Sequence, residues 1–200
     1  MSFILGIKKE MAQIFKDDLV IPVTVVKAGP CFVVDVKSKE INGYEAVRLA
    51  LGKRSKINKP LKGQLKDLEL NPKWIKEFRT VSSLQRGETV KVDSFKEGDK
   101  VDVQGNSIGK GFQGVVKRHG FKGKNTTHGT KHDIRRSGSI GATAPQRVFK
   151  GKRMAGRMGG ESATSQNLEI IKIDPAQDLL YIKGAVPGKR NALLKIITRP

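Results

Sequence analysis

The apolar positions of this chain fall in short β-branched runs near its two ends and thin out between them. Ile21-Pro22-Val23-Thr24-Val25-Val26, Cys31 to Val36 and Ala46 to Leu51 read as strands. The turn signal Lys27-Ala28-Gly29-Pro30 between the first two predicts a hairpin. Toward the other end, Leu168-Glu169-Ile170-Ile171-Lys172-Ile173 and Leu179-Leu180-Tyr181-Ile182-Lys183 bracket Asp174-Pro175-Ala176-Gln177-Asp178, again strand, turn, strand. Leu193 to Thr198 makes a last strand. Between Leu51 and Thr89 the pattern loosens. There Asn71 offers an N-cap and Pro72 a first helical residue ahead of Trp74, Ile75 and Phe78, so a short helix is expected near 71–78. Many short strands with turn signals point to a mainly β fold, a small barrel or sandwich.

The strands at both ends must then fold together, with residues 1–103 and 167–200 forming one body. Residues 104–166 become an insertion, an extended arm leaving after Val101-Asp102-Val103 and returning before Leu168. A structureless loop of that length is uncommon in a compact domain and is usually functional. Ordering it costs about 1–2 kcal/mol per residue in backbone entropy. Ile108, Phe112, Phe121, Ile140 and Phe149 are too scattered to offset this by burial against each other. The arm is therefore expected to be largely disordered alone and ordered by a partner.

Charge names the class of partner. Lys and Arg total 39 against 19 Asp and Glu, a formal net charge of +20. Self-repulsion on that scale is relieved by a polyanion, either nucleic acid or an anionic membrane. No apolar run approaches the roughly 18–20 residues of a membrane span. Phe3-Ile4-Leu5, followed by Lys8-Lys9-Glu10, is too short for a signal peptide. Cys31 is the single cysteine, so no internal disulfide forms; within Cys31-Phe32-Val33-Val34 it reads as a small buried hydrophobe. The expectation is a soluble protein of a reducing, intracellular compartment.

The arm concentrates this charge. Residues 104–166 carry thirteen Lys or Arg opposed only by Asp133 and Glu161, a net +11, and hold 13 of the 22 glycines. Cations neutralise phosphates and release counterions. Glycine lets backbone approach a phosphate or base closely. Arg147, Arg153 and Arg157 suit stacking on bases or two-donor grips on phosphate. Phe112, Phe121 and Phe149 suit either stacking on unpaired bases or anchoring onto the protein body, and the sequence leaves both open.

Three other motifs are decoys. Gly109-Lys110-Gly111-Phe112-Gln113-Gly114 spells a dinucleotide fingerprint, but no βαβ unit follows, since Lys117 to Gly123 is poor helix material. Gly105 to Lys110 is one residue short of a P-loop. His128 and His132 are four apart, yet with three His and one Cys in the chain they suit phosphate contact better than zinc. No nucleophile, base and acid arrangement is arguable, so neither an enzyme nor a cofactor is expected. The RNA-binding candidates are Lys110, Phe112, Lys117, Arg118, His119, Lys122, Lys124, His128, Lys131, His132, Arg135, Arg136, Arg147, Phe149, Lys150, Lys152, Arg153 and Arg157.

The ordered set Gly109 to Gly114, Val116-Lys117-Arg118-His119, Thr127-His128-Gly129, Gly138-Ser139-Ile140-Gly141 and Arg147 to Gly156 resembles the L-three family of bacterial-type large-subunit ribosomal proteins. Ile21 to Val25 and Lys183-Gly184-Ala185-Val186-Pro187-Gly188 resemble its body. The resemblance implies a six-stranded β-barrel of the translation-protein type and an extension threaded into large-subunit ribosomal RNA. That extension reaches toward the peptidyl transferase centre, with Gly138 to Arg147 similar to the nearest segment and Arg147 to Arg157 to the RNA-packed return. It also implies a role early in subunit assembly, neighbouring large-subunit proteins as partners, a cytoplasmic ribosome as location, and no membrane or small-molecule substrate. The Ala142-Thr143-Ala144-Pro145-Gln146 segment is one residue shorter than the family's turn, and Gln146 does not align with the glutamine methylated in some members, so no modification is expected. The opening Gly6 to Ala12 also departs from the family's pattern. A generic nucleic-acid or DNA-packaging module is the alternative. Phosphate contacts look alike in both, but one long insertion favours the ribosomal reading.

Overall fold

A computed structural model describes residues 2–16, 18–68, 70–80 and 83–199. It divides the chain into two compact units, Met1–Asn106 with Ser162–Pro200, and Ser107–Glu161.

The first unit is built on a closed barrel. Its strands are β1 (Phe3–Lys16), β2 (Leu19–Ala28), β7 (Lys100–Asn106), β10 (Ser162–Asp174), β11 (Leu179–Lys183) and β12 (Leu193–Thr198). The order around the ring is β1-β12-β7-β10-β11-β2, and every neighbouring pair is antiparallel. Closure leaves no edge for stray strand pairing. The sequence reading did not include β1, whose Lys8-Lys9-Glu10 reads as polar although Phe3, Ile4 and Leu5 are buried.

A second sheet, order β5-β4-β3-β6, consists of β3 (Cys31–Lys37), β4 (Ala46–Lys53), β5 (Pro72–Phe78) and β6 (Thr89–Val90). One core joins the two sheets: Phe3, Ile4, Leu5, Leu194 and Ile196 of the barrel cluster with Val33, Val47, Leu49 and Phe78. The rings of Phe3 and Phe78 lie 5.0 Å apart. Lys195 of β12 reaches the same junction, donating to the Glu77 carbonyl at 2.8 Å with its ammonium 4.8 Å from the Phe78 ring. Burial lowers its pKa.

Two expectations are corrected here. β2 and β3 do not form a hairpin. β2 pairs with β1 and β11, while β3 pairs with β4 and β6. Gly29, at φ +88°, turns the chain from one sheet into the other. Two short β-branched runs joined by a turn signal suit a sheet crossing as well as a hairpin, and only the tertiary pairing separates them. The helix expected near 71–78 is instead β5, with Trp74 opposite Leu51 and Phe78 opposite Val47. Proline is tolerated at the first residue of an edge strand, which is where Pro72 sits. Strand formation also places Phe78, 1% exposed, against Phe3.

The boundary of the insertion also shifts. β7 and β10 stay paired as far as Asn106 opposite Ser162, so 104–106 and 162–166 belong to the barrel and the second unit spans 107–161. Gly105 looks like arm sequence but is a packing residue. A Cβ there would meet Leu194 at 2.7 Å and the Pro187 carbonyl at 3.3 Å. Cys31 is fully buried, as expected, and burial pushes its pKa up to about 12. No helix among the described residues is long and apolar enough to cross a membrane.

Candidate nucleic-acid interface

Residues 107–161 have little to fold around. Val115 is their single buried hydrophobic residue among those described. Regular structure is limited to a two-stranded sheet, β8 (Gly111–Gln113) with β9 (Gly156–Met158), and a short helix over Val115–His119. The helix corrects the reading of Lys117 onward as poor helix material. Gly114 precedes it in extended conformation, and Gly120 ends it at φ +71°, donating back to the Val116 carbonyl. The fingerprint Gly109 to Gly114 therefore runs into an antiparallel pair, not a parallel βαβ unit.

Polar contacts hold the unit where apolar ones do not. Arg118 donates to the Met154 carbonyl at 2.7 Å, and His119 Nε2 lies 3.0 Å from the same oxygen. The guanidinium passes so close to Gly156 that a Cβ there would stand 2.6 Å from Arg118 Nη1. The His119 and Phe121 rings are 6.0 Å apart. Further out, Asp133 pairs with Lys124 at 3.4 Å and Arg136 at 3.0 Å, and the Lys124 amide donates to the Ile134 carbonyl at 3.0 Å. That ties 124–136 into a loop carrying exposed His128, Lys131 and His132. Among the described residues no group of three His, Cys, Asp or Glu is placed to hold a metal.

Sixteen of the eighteen candidate residues are exposed; Arg118 and His119 are half-buried in their contacts with Met154. The structure sets Phe112 opposite Arg157 across the β8–β9 pair, although 45 positions separate them in sequence. It also places the Arg147 guanidinium 5.5 Å from the Phe149 ring. Phe112 is 77% exposed and Phe149 55%. Lys110, Lys117, Lys122, Arg135, Lys150, Lys152 and Arg153 stand free of carboxylates among the described residues. Between Gly138 and Val148 the exposed chain curves around an open depression lined by Ile140, Gln146 and Arg147 among others. The unit presents cations, exposed rings and glycine backbone, the groups with which proteins contact phosphates and bases.

A second cationic stretch escaped the sequence reading. Lys53, Arg54, Lys56, Lys59, Lys62 and Lys66 are all exposed, and no Asp or Glu lies between Ala46 and Lys66. The signal was available: Leu61, Leu65 and Leu68 alternate with Lys59, Lys62 and Lys66 at helical spacing, behind an Asn58 cap and Pro60.

The family model for ribosomal protein L3 matches residues 77–179. Over its length the chain is similar to proteins called large ribosomal subunit protein uL3. It is 48% identical to that of Chlorobaculum tepidum, with 99% of each chain covered. It is 49% identical to that of Carboxydothermus hydrogenoformans, covering 96% of this chain and 95% of the relative. Against that of Corynebacterium jeikeium the identity is 50%, over 98% and 93%.

Proposed function

This chain belongs to the ribosomal protein L3 family, and on that premise we propose that residues 107–161 bind large-subunit ribosomal RNA. As a family member it is a structural constituent of the large ribosomal subunit and not an enzyme. The observation that carries the RNA reading is the imbalance in the second unit. Thirteen Lys or Arg face Asp133 and Glu161 alone, sixteen of the eighteen candidates are exposed, and one apolar side chain is buried. Charge of one sign, held out on backbone that buries almost nothing, is stable when phosphates neutralise it.

Finer roles follow from the same unit. Lys150, Lys152, Arg153 and Arg157 take phosphates, while Phe112 and Phe149 stack on unpaired bases. The segment Gly138 to Arg147, which resembles the family's innermost stretch, reaches toward the peptidyl transferase centre. An extension that becomes ordered as RNA folds around it must arrive before that RNA closes, so the chain joins the particle early in assembly. Other proteins of the large subunit adjoin the barrel unit.

The test is the salt dependence of binding between the full chain and deproteinised large-subunit rRNA. Each neutralised phosphate contributes about 0.7–0.9 to the slope of log K against log salt. A steep slope, equivalent to many contacts, is expected. A flat one would sink the proposal.

A further inference from the structure

We propose that Lys59, Lys62 and Lys66, with Lys53, Arg54 and Lys56 beside them, form a second RNA site that grips the phosphate backbone of a double-helical segment. It rests on the reading that this chain binds ribosomal RNA and adds a site outside residues 107–161.

The first observation is the absence of counter-charge. From Ala46 to Lys66 the sequence has seven Lys or Arg and no acid. Arg48 is paired, 3.7 Å from Asp35, and Asp67, just beyond the run, is taken by Arg86 at 3.3 Å. None of the other six has a carboxylate partner among the described residues. An ordinary solvated surface intersperses both signs. Like charges three and four positions apart oppose helix formation. Here they ride on a short helix, Lys59–Gln64, and the 3-10 turn Lys66–Leu68 that follows it. A polyanion removes that opposition.

The second observation is that the segment carrying the row is anchored by its leucines. Leu65 is 2% exposed and forms a small core with Val34 and Ala50, against which Ile57, Leu61, Leu68 and Ile75 pack. With the leucines packed against the sheet, Lys59, Lys62 and Lys66 are left exposed on the solvent side of the same segment. The backbone that carries these cations is therefore anchored to the sheet.

The third observation selects the ligand. Among the described residues, the rings nearest these cations, Phe32 and Trp74, are not fully exposed. Trp74 is half-buried, with the Lys73 ammonium 4.4 Å from its ring. Lys53, Arg54, Ser55, Lys73 and Trp74 line a cavity of about 550 Å³, cationic at its rim. A row of cations on an anchored segment, with its neighbouring rings half-covered, suits a regular phosphate backbone better than splayed bases.

Cys31 makes the test selective, because its thiol is fully buried and pushed toward high pKa. The variant Lys62→Cys therefore carries one reactive thiol, to which iron-EDTA is attached before assembly into large subunits. A second variant, Asn125→Cys, carries the tether in the other unit. Hydroxyl radicals from position 62 should cut both strands of one rRNA helix. Cutting from 125 with none from 62 would overturn the second site and spare the first. Cutting from neither would overturn the rRNA reading itself. Cuts from 62 confined to unpaired nucleotides would overturn the duplex assignment. Independently, Lys59→Ala, Lys62→Ala and Lys66→Ala together should lower the salt slope of rRNA binding by about three times 0.7–0.9, and the three Lys→Arg changes should leave it in place. An unchanged slope in the alanine variant would also overturn the site.

Discussion

The two units of this chain differ in what makes them stable. The barrel unit holds every buried hydrophobic side chain described except Val115. It carries a net charge of +9 from 26 cations and 17 acids, over more than twice the length of the other unit. Residues 107–161 carry +11, and their order rests on hydrogen bonds to backbone carbonyls, the Asp133 ion pairs and one short sheet. Hydrogen bonds and exposed ion pairs contribute little net stability in water, because water competes for the same groups. Burial of apolar surface has no such competitor. The first unit thus carries its own driving force; under the proposed function, the second borrows one from RNA phosphates.

Removal of the second unit is the strongest way to break this comparison. Asn106 and Ser162 are directly opposite in the β7–β10 ladder. A two-residue Asn-Gly turn can therefore join them in place of 107–161. The shortened chain should unfold in one cooperative transition near the midpoint of the full chain, and should be missing from large subunits on a density gradient. Loss of cooperative unfolding would show that the barrel depends on the insertion.

Next in size is a pair of truncations, one in each unit. Leu49 is fully buried at the junction of the two sheets. Leu49→Ala should cost about 2–5 kcal/mol in chemical denaturation. Phe112→Ala removes a larger side chain that is 77% exposed. It should change stability by less than about 0.5 kcal/mol, yet weaken RNA binding by about 1–3 kcal/mol if the ring stacks on a base. Equal stability effects would erase the distinction between the units.

The barrel's strands were legible where apolar residues were consecutive or alternating, as in 168–173, 179–183 and 193–198. They were hidden where the barrel needs small or polar residues. Gly105 and Ser162 to Gln166 look like arm because one strand of the pair is exposed and the other must let Leu194 approach. The hairpin error at Gly29 and the helix error at Pro72 share a cause. A turn signal or a cap signal fixes local conformation, while pairing partners tens of residues away decide the element. The candidate interface was legible as charge and glycine content. Its internal arrangement was not, because contacts such as Arg118 with the Met154 carbonyl run from a side chain to a backbone group that any residue carries.

A smaller effect separates cations that meet phosphate from cations that hold the arm together. Lys150→Ala, Lys152→Ala and Arg153→Ala combined should flatten the salt dependence of rRNA binding by about three times 0.7–0.9. Asp133→Asn frees Lys124 and Arg136 from their ion pairs. It removes one negative charge and should leave the slope equal or slightly steeper, with looser order in 124–136 read from amide exchange. If both variants flattened the slope alike, the distinction between binding and bracing residues would fail.

The smallest expected effect lies in the barrel unit and is a matter of pH. Glu77 on β5 reaches across β4 to Lys37 on β3, 2.7 Å away, and Lys37 also bonds the Tyr44 hydroxyl. The Lys37 hydrogen bond lowers the Glu77 pKa, and Glu77 in turn raises that of Lys37. A carboxylate whose folded pKa is depressed contributes its full stability above its unfolded pKa, and loses it as pH falls through the folded value. The raised lysine contributes below its unfolded pKa and loses that contribution as pH rises through its folded value. Stability from this pair is therefore flat across neutral pH and declines at both ends. Both side chains are half-buried at the surface with water still in reach, so the decline is shallow. Glu77→Gln should remove the acid-side decline specifically, in thermal unfolding measured downward from the ordinary carboxylate range. The same change should appear, undiminished, in the chain lacking 107–161, because the pair and its surroundings lie within the unit that folds around apolar side chains. A pH response that vanished with the insertion would mean that the two units share more of their stability than their separate cores imply.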